Sequence, residues 1–258
     1  MLCQRCGRTI CPECQTPAAV GVHCPECVRE ARQSTPRARP AVVTALRRAG
    51  RSDSPVVTYG IIALCTLVFL LQLFTGTFGP IFQALAFQGG FAATEPWRMI
   101  TSIFVHLSIL HLLFNMYSVY VFGPLLESML GRWRFAALFL LAGFGGSVAV
   151  LLVAPTIAVA GASGAIFGLL GAFFVIQRHL GGSSRQLIVV IVLNLVIGFV
   201  VPGIAWQAHV GGLIVGALVG FIFVRTRNRS QRTVQWLALG GTAAALIALT
   251  VAGVAGVA

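Results

Sequence analysis

From Val56 onward the chain is dominated by seven apolar runs, at about 56–77, 108–129, 134–153, 162–179, 186–202, 205–224 and 234–256. A helix needs roughly 17–25 residues to cross the hydrocarbon of a bilayer. Only helices and closed barrels satisfy their own backbone hydrogen bonds there. Lipid-spanning strands alternate in polarity over roughly 10 residues, and these runs do not alternate. The sequence therefore predicts an all-α polytopic membrane protein. Composition supports this: 57% of residues are hydrophobic and 9% charged, against roughly 25% charge in a typical soluble domain. Such a chain cannot cover its apolar surface with its own polar groups.

The net charge of +12 is carried by Arg alone, since the chain has no Lys. Nucleic acid is set aside as a partner, because the Arg residues lie between apolar runs or ahead of the first. There they meet anionic lipid headgroups. With the N-terminus inside, Arg132 and Arg134, Arg178 and Arg185, and the cluster from Arg225 to Arg232 all fall on inner loops. Only Arg98 falls outside, on a long external loop over 78–107. The start MLCQRCGRTI lacks the apolar core of a signal peptide. The expected location is a bacterial cell membrane, with a cytoplasmic N-terminus and an external C-terminus.

Polar residues inside spans are costly and are functional candidates by default. They are His111 and Asn115 in the second run, Ser163 opening the fourth, and His209 near the start of the sixth. All three runs begin on the external side, so the four groups share one depth. His111 and Asn115 are four apart and share a helix face. Gly161 and Gly164 flank Ser163 and let another backbone approach its hydroxyl. Backbone N–H groups at a helix start stabilise a developing oxyanion. A serine hydroxyl needs a base to become nucleophilic, and His209 supplies one. Asp53, the only Asp, lies before the first run, and Glu127 lies at the inner end of the second. The residues thus predict a Ser–His dyad without an acidic third member. Asn115 can donate an amide N–H and His111 a ring N–H toward the same oxyanion, and the Phe167 ring is a surface for His209. Each group alone also suits packing, and GxSG alone is weak; their conjunction carries the reading. His106 is assigned to structure. Gly164 and Gly168, and Gly212, Gly216 and Gly220, are spaced by four, and place the fourth and sixth runs in contact.

These residues resemble the rhomboid family of intramembrane serine proteases. The resemblance runs from about 56 to 225 through Trp97-Arg98, His106…His111-x3-Asn115, Glu127 before Gly131, Gly161-x-Ser163-Gly164, and Ala208-His209-x-Gly211-Gly212. It implies a six-helix core with a seventh, C-terminal helix. It also implies catalysis by Ser163 and His209 without a cofactor, an oxyanion hole built by His111, Asn115 and the Ser163 N–H, and single-span membrane proteins cut near their outer ends as substrates. Trp97 and Arg98 are implied to belong to a half-embedded first loop beside the site, and Glu127 to structural bonding near the inner face. Some relatives carry Tyr where Phe167 stands. A rhomboid-like protein that binds transmembrane clients without cleaving them is the alternative. A transporter would need charges deep in several spans, and a metalloprotease of the HExxH type is excluded by the absence of that motif.

Six of the seven cysteines crowd the first residues as Cys3-x2-Cys6, Cys11-x2-Cys14 and Cys24-x2-Cys27, with His23 adjacent. Paired CxxC spacings suit a tetrahedral zinc site, and a module this short needs metal to fold. Cys3, Cys6, Cys24 and Cys27 make one site in cross-brace order. Cys11 and Cys14 are left with His23, one ligand short of a second site, a deficit that a start upstream of Met1 would fill. The module resembles a B-box or treble-clef finger and is expected to bind a cytosolic protein partner; a redox CxxC is the alternative. The expected layout is a Cys-rich module over 1–30, a flexible basic linker over 31–55, a catalytic domain over 56–225, and a basic loop with the seventh helix over 226–258. Cys65 is a small apolar filler.

Overall fold

The computed structural model describes residues 1–34 and 54–257. The expected linker falls almost wholly outside the described residues. The chain divides into two units, Met1–Pro40 and Ala41–Ala258.

In the first unit, β1 (Thr16–Pro17) pairs antiparallel with β2 (Val22–His23), and α1 (Pro25–Ser34) follows. The helix carries Cys27 in its first turn and runs past residue 30. A tight turn after Cys3 places Gly7 at φ 75, with its N–H on the Cys3 carbonyl at 2.9 Å. A glycine adopts that left-handed conformation without steric cost.

In the second unit, seven apolar helices correspond to the seven runs. They are α2 (Val56–Thr75), α5 (Ile109–Leu130), α6 (Arg132–Val153), α7 (Ser163–His179), α8 (Arg185–Val200), α9 (Trp206–Arg225) and α10 (Arg232–Val257). Between α2 and α5 the long connecting loop folds into two short helices, α3 (Pro80–Leu85) and α4 (Arg98–Thr101). Five of the seven are long and apolar enough to cross a membrane; α7 and α8 have only 17 and 16 residues. The short α7 has a consequence for the site. At 1.5 Å per residue it is about 26 Å long, less than the roughly 30 Å of hydrocarbon. A helix of that length that reaches one face of the hydrocarbon therefore stops a few ångströms short of the other.

Helix α7 is the centre of the bundle, with ten of its residues buried. It packs on α9 through glycines on both sides. A Cβ on Gly212 would lie 1.9 Å from the Gly164 carbonyl oxygen, and one on Gly216 would lie 2.1 Å from that of Gly168. Backbone meets backbone, so the fourth and sixth runs touch as their spacing predicts. Glu127 accepts from the Val57 N–H (3.0 Å), the Thr58 N–H (2.8 Å) and the Thr58 hydroxyl (2.7 Å). It satisfies free donors at the start of α2. At the same end, Gln235 of α10 accepts from Arg134 Nε of α6 (2.8 Å) and donates to the Thr226 hydroxyl after α9 (2.6 Å). These polar bonds fasten the seventh helix to the core.

Candidate active site

The loop between α2 and α5 fixes the segment that presents Ser163. Phe87 and Val159 exchange both backbone hydrogen bonds (3.0 and 2.7 Å), Gly89 donates to the Pro155 carbonyl (2.9 Å), and Gly161 donates to that of Ser102 (2.9 Å). The approach to α7 is thus held as one edge of a folded loop. Gly161 has φ +122, and a Cβ there would lie 2.6 Å from His111 Cε1. Both the backbone conformation and the histidine ring exclude a side chain.

Ser163 is the first residue of α7 and follows buried Ala162. Its hydroxyl lies 3.0 Å from His209 Nε2 of α9. In the tautomer with the proton on Nδ1, Nε2 accepts from that hydroxyl. The imidazole stacks on Phe167, with ring centroids 4.3 Å apart and planes inclined by 13°. Nδ1 is buried with no hydrogen-bond partner among the described residues, and a Cβ on Gly198 of α8 would lie 3.2 Å from it. Packing orients the ring in place of a carboxylate.

Asn115 is buried and donates to the His111 carbonyl at 2.8 Å, leaving its second amide N–H available. His111 Nδ1 is at 3.5 Å from the Leu107 N–H, and Ser108 caps α5 by accepting from the His111 N–H at 3.2 Å. One cavity of about 570 Å³ is lined by Ser163, His209, His111, Asn115, Gly161 and Phe167, together with other residues of α5–α9.

Trp97 and Arg98 do not line this cavity. Arg98 is buried and binds Glu95 at 2.6 Å and the Ala86 carbonyl at 3.1 Å; it also binds the Gln83 carbonyl and lies 4.4 Å from the Phe91 ring centre. It ties the loop between α2 and α5 together. Trp97 is 52% exposed. His106 is fully buried, and its ring meets that of His111 edge-on at 5.2 Å. Sequence reasoning passes over Gln72, which is fully buried and bridges α2 to the entry of α5. It donates to the Thr77 and His106 carbonyls (both 3.0 Å) and accepts from the His106 N–H (3.2 Å). It also passes over Ser147, whose hydroxyl donates to the Met99 carbonyl at 2.8 Å in the cavity wall. A lone polar residue in an apolar run is the signal for both.

In the first unit the sulfurs of Cys3, Cys6, Cys24 and Cys27 lie within 4.8 Å of one another. Cys6 and Cys24 are 3.7 Å apart. Four sulfurs at about 2.3 Å from a tetrahedral zinc stand about 3.8 Å from each other, so the spacing fits. Burial alone would push the Cys3 thiol up. The N–H groups of Cys24, Arg5 and Cys6 outweigh it and bring it down to about 6. Burial, then the neighbouring thiols, push Cys27 up to about 12. Four crowded thiols resist ionising together, and a divalent cation reverses that balance. Cys11 and Cys14 are exposed and belong to no such group among the described residues.

A family model of the rhomboid domain matches residues 93–226, which contain the dyad and the oxyanion candidates. The chain belongs to the rhomboid family. It is 37% identical over 180 residues to rhomboid protease GluP of Bacillus subtilis, covering 64% of this chain and 34% of that protein. It is 38% identical over 138 residues to the mitochondrial RHOMBOID-like protein 6 of Arabidopsis thaliana, covering 50% and 44%. With rhomboid protease GlpG of Haemophilus influenzae it shares 30% identity over 184 residues, covering 67% and 94%. The match thus spans about a third of GluP and nearly all of GlpG.

Proposed function

We propose that this chain is an intramembrane serine endopeptidase that cuts transmembrane segments near the outer membrane face. The observation that carries this is the 3.0 Å approach of the Ser163 hydroxyl to His209 Nε2 between two bundle helices. It is within the reach required of a nucleophile and its base. His209 takes the hydroxyl proton as Ser163 Oγ attacks the scissile carbonyl. The forming oxyanion turns to the Ser163 N–H, the free Asn115 N–H and the His111 ring. His209 then gives its proton to the leaving amine, and a water hydrolyses the acyl-enzyme with His209 again as base. The Phe167 face against the imidazole favours its cationic form, a contribution that a buried aspartate makes elsewhere. Kinship with the rhomboid proteases GluP and GlpG of bacterial sources supports the same reading.

The same proposal assigns residues 56–225 to catalysis and 226–258 to an accessory helix. Residues 1–30 form a cytosolic module that holds one structural zinc on Cys3, Cys6, Cys24 and Cys27 and meets a cytosolic protein. Residues 31–55 join the two. The N-terminus lies inside, by the Arg distribution. Single-span proteins are the substrates, and a weakened helix near the outer end exposes their scissile carbonyl.

The test is cleavage of a model single-span substrate in liposomes. Wild-type protein is expected to cut it, and Ser163→Ala and His209→Ala to be inactive. A fluorophosphonate is expected to label Ser163 in the wild type only. Absence of both cleavage and labelling would instead mark a protein that binds transmembrane clients.

A further inference from the structure

Helix α8 carries a polar residue in an unexpected place. Its buried residues are Leu187, Ile191 and Gly198. With Asn194 they form one stripe at spacings of four, three and four, which is a single helix face. Leu187 and Ile191 pack with Leu170 of α7, and Gly198 lies against His209. This is the face turned to the bundle. Asn194 sits within it yet is exposed, because the cavity containing Ser163 and His209 opens there. Asn115 and Ser118 of α5 and Asn194 of α8 all line that cavity.

The amide of Asn194 donates one N–H to the Val190 carbonyl at 2.8 Å. Its oxygen and second N–H have no other partner among the described residues. At this depth an amide that faces hydrocarbon is costly, and an apolar residue would complete the stripe at no such cost. A polar group opposite it removes the penalty.

We propose that Asn194 is a specificity-determining residue that hydrogen-bonds a polar or unwound stretch of the substrate's transmembrane segment. The proposal rests on the protease reading above and names the substrate feature that this site recognises. Asn194 is one helical turn, about 6 Å, deeper than Gly198 and therefore deeper than His209. That distance matches about two extended residues. The recognised group lies a few residues to the membrane-ward side of the cleaved bond. It is an Asn, Gln or Ser side chain, or a backbone carbonyl freed by Gly or Pro. A segment of unbroken Leu leaves the Asn194 amide unpaired, and a site built to hydrogen-bond a group discriminates against its apolar analogue.

The test uses the full chain in liposomes and two single-span substrates that differ only by Asn or Leu three residues membrane-ward of the cut. Wild type is expected to prefer the Asn substrate by about fivefold in kcat/KM, the size of one net hydrogen bond. Asn194→Leu is expected to bring the ratio to about one by slowing the Asn substrate, and Asn194→Gln to retain a preference. A wild-type ratio of one, an unchanged ratio in Asn194→Leu, or an equal loss on both substrates would overturn the assignment. Fluorophosphonate labelling of Ser163 in each variant reports whether the dyad is assembled. Binding of the same two segments to Ser163→Ala, with and without Asn194→Leu, reads recognition without chemistry. Failed cleavage with a binding preference that Asn194→Leu abolishes sinks the protease reading alone, and a binding preference absent from Ser163→Ala, or unchanged by Asn194→Leu, sinks the role of Asn194.

Discussion

His209 is flanked by two helices of unlike construction. On one side α7 and α9 meet through Gly164, Gly168, Gly212 and Gly216, with no side chain between the backbones. On the other side α8 touches the bundle through Leu187, Ile191 and Gly198, and most of its other residues are exposed. The first seam cannot yield, because packed backbone has no rotamer to change. The second can, because little apolar contact holds it. A protease in a membrane needs both. The nucleophile and base must stay within a fraction of an ångström, and a substrate must still enter from lipid.

The largest effect should come from breaking the rigid side. Gly212→Val places branched carbons where even a Cβ would stand 1.9 Å from the Gly164 carbonyl oxygen. Overpacking costs about 1–3 kcal/mol and at times more. Gly164 also adjoins the nucleophile, so any relief moves Ser163. Fluorophosphonate labelling should be abolished and thermal unfolding in detergent should shift downward; retained labelling would show that the seam is softer than its geometry.

The next effect separates chemistry from packing on the same side. Asn115→Ala removes one proposed oxyanion donor and leaves the glycine seam untouched. Loss of such a donor costs about 2.7–4 kcal/mol, or 10²–10³ in kcat. KM should change little. A comparable rise in KM instead would make Asn115 a substrate-binding group.

Much of this contrast is legible in the residues themselves. Ser163, His209, His111 and Asn115 stand out because polar groups are scarce in apolar runs, and the Arg asymmetry sets them at one depth. The glycines of the fourth and sixth runs announce a close contact because four-residue spacing puts them on one face. The Cys3, Cys6, Cys24 and Cys27 grouping follows from pairwise spacing. The loop between α2 and α5 is not legible in this way. Its bonds to the segment before Ser163 run backbone to backbone, as at Phe87 with Val159, and such pairing leaves little mark on composition. For the same reason Arg98 reads as a site neighbour from its motif, whereas its partners are loop carbonyls and Glu95. Asn194 is visible as a polar residue in a run, but its meaning depends on which face of α8 meets the bundle.

A smaller effect should come from the yielding side. At Gly198 a Cβ would stand 3.2 Å from His209 Nδ1, a mild crowding. Gly198→Ala can be accommodated by a slight outward shift of α8. Unfolding should change by less than about 0.5 kcal/mol, and kcat/KM by only a few-fold. The same Gly-to-Ala change at Gly212 has only backbone to push against and should cost several times more. Equal costs at the two positions would erase the distinction between the helices.

The smallest effect on the core should come from removing metal. The four-cysteine cluster lies in the separate unit Met1–Pro40, and a module of that size depends on its ion for folding. Purified protein is expected to contain about one zinc per chain. A strong chelator should release it and open residues 1–34 to proteolysis. Ser163 labelling should not change, because no group of the dyad, the oxyanion donors or the glycine seam belongs to that unit. A labelling rate that falls with zinc release would mean that the cysteine module controls the rigid seam, and the contrast would then lie between the two units and not between the two sides of His209.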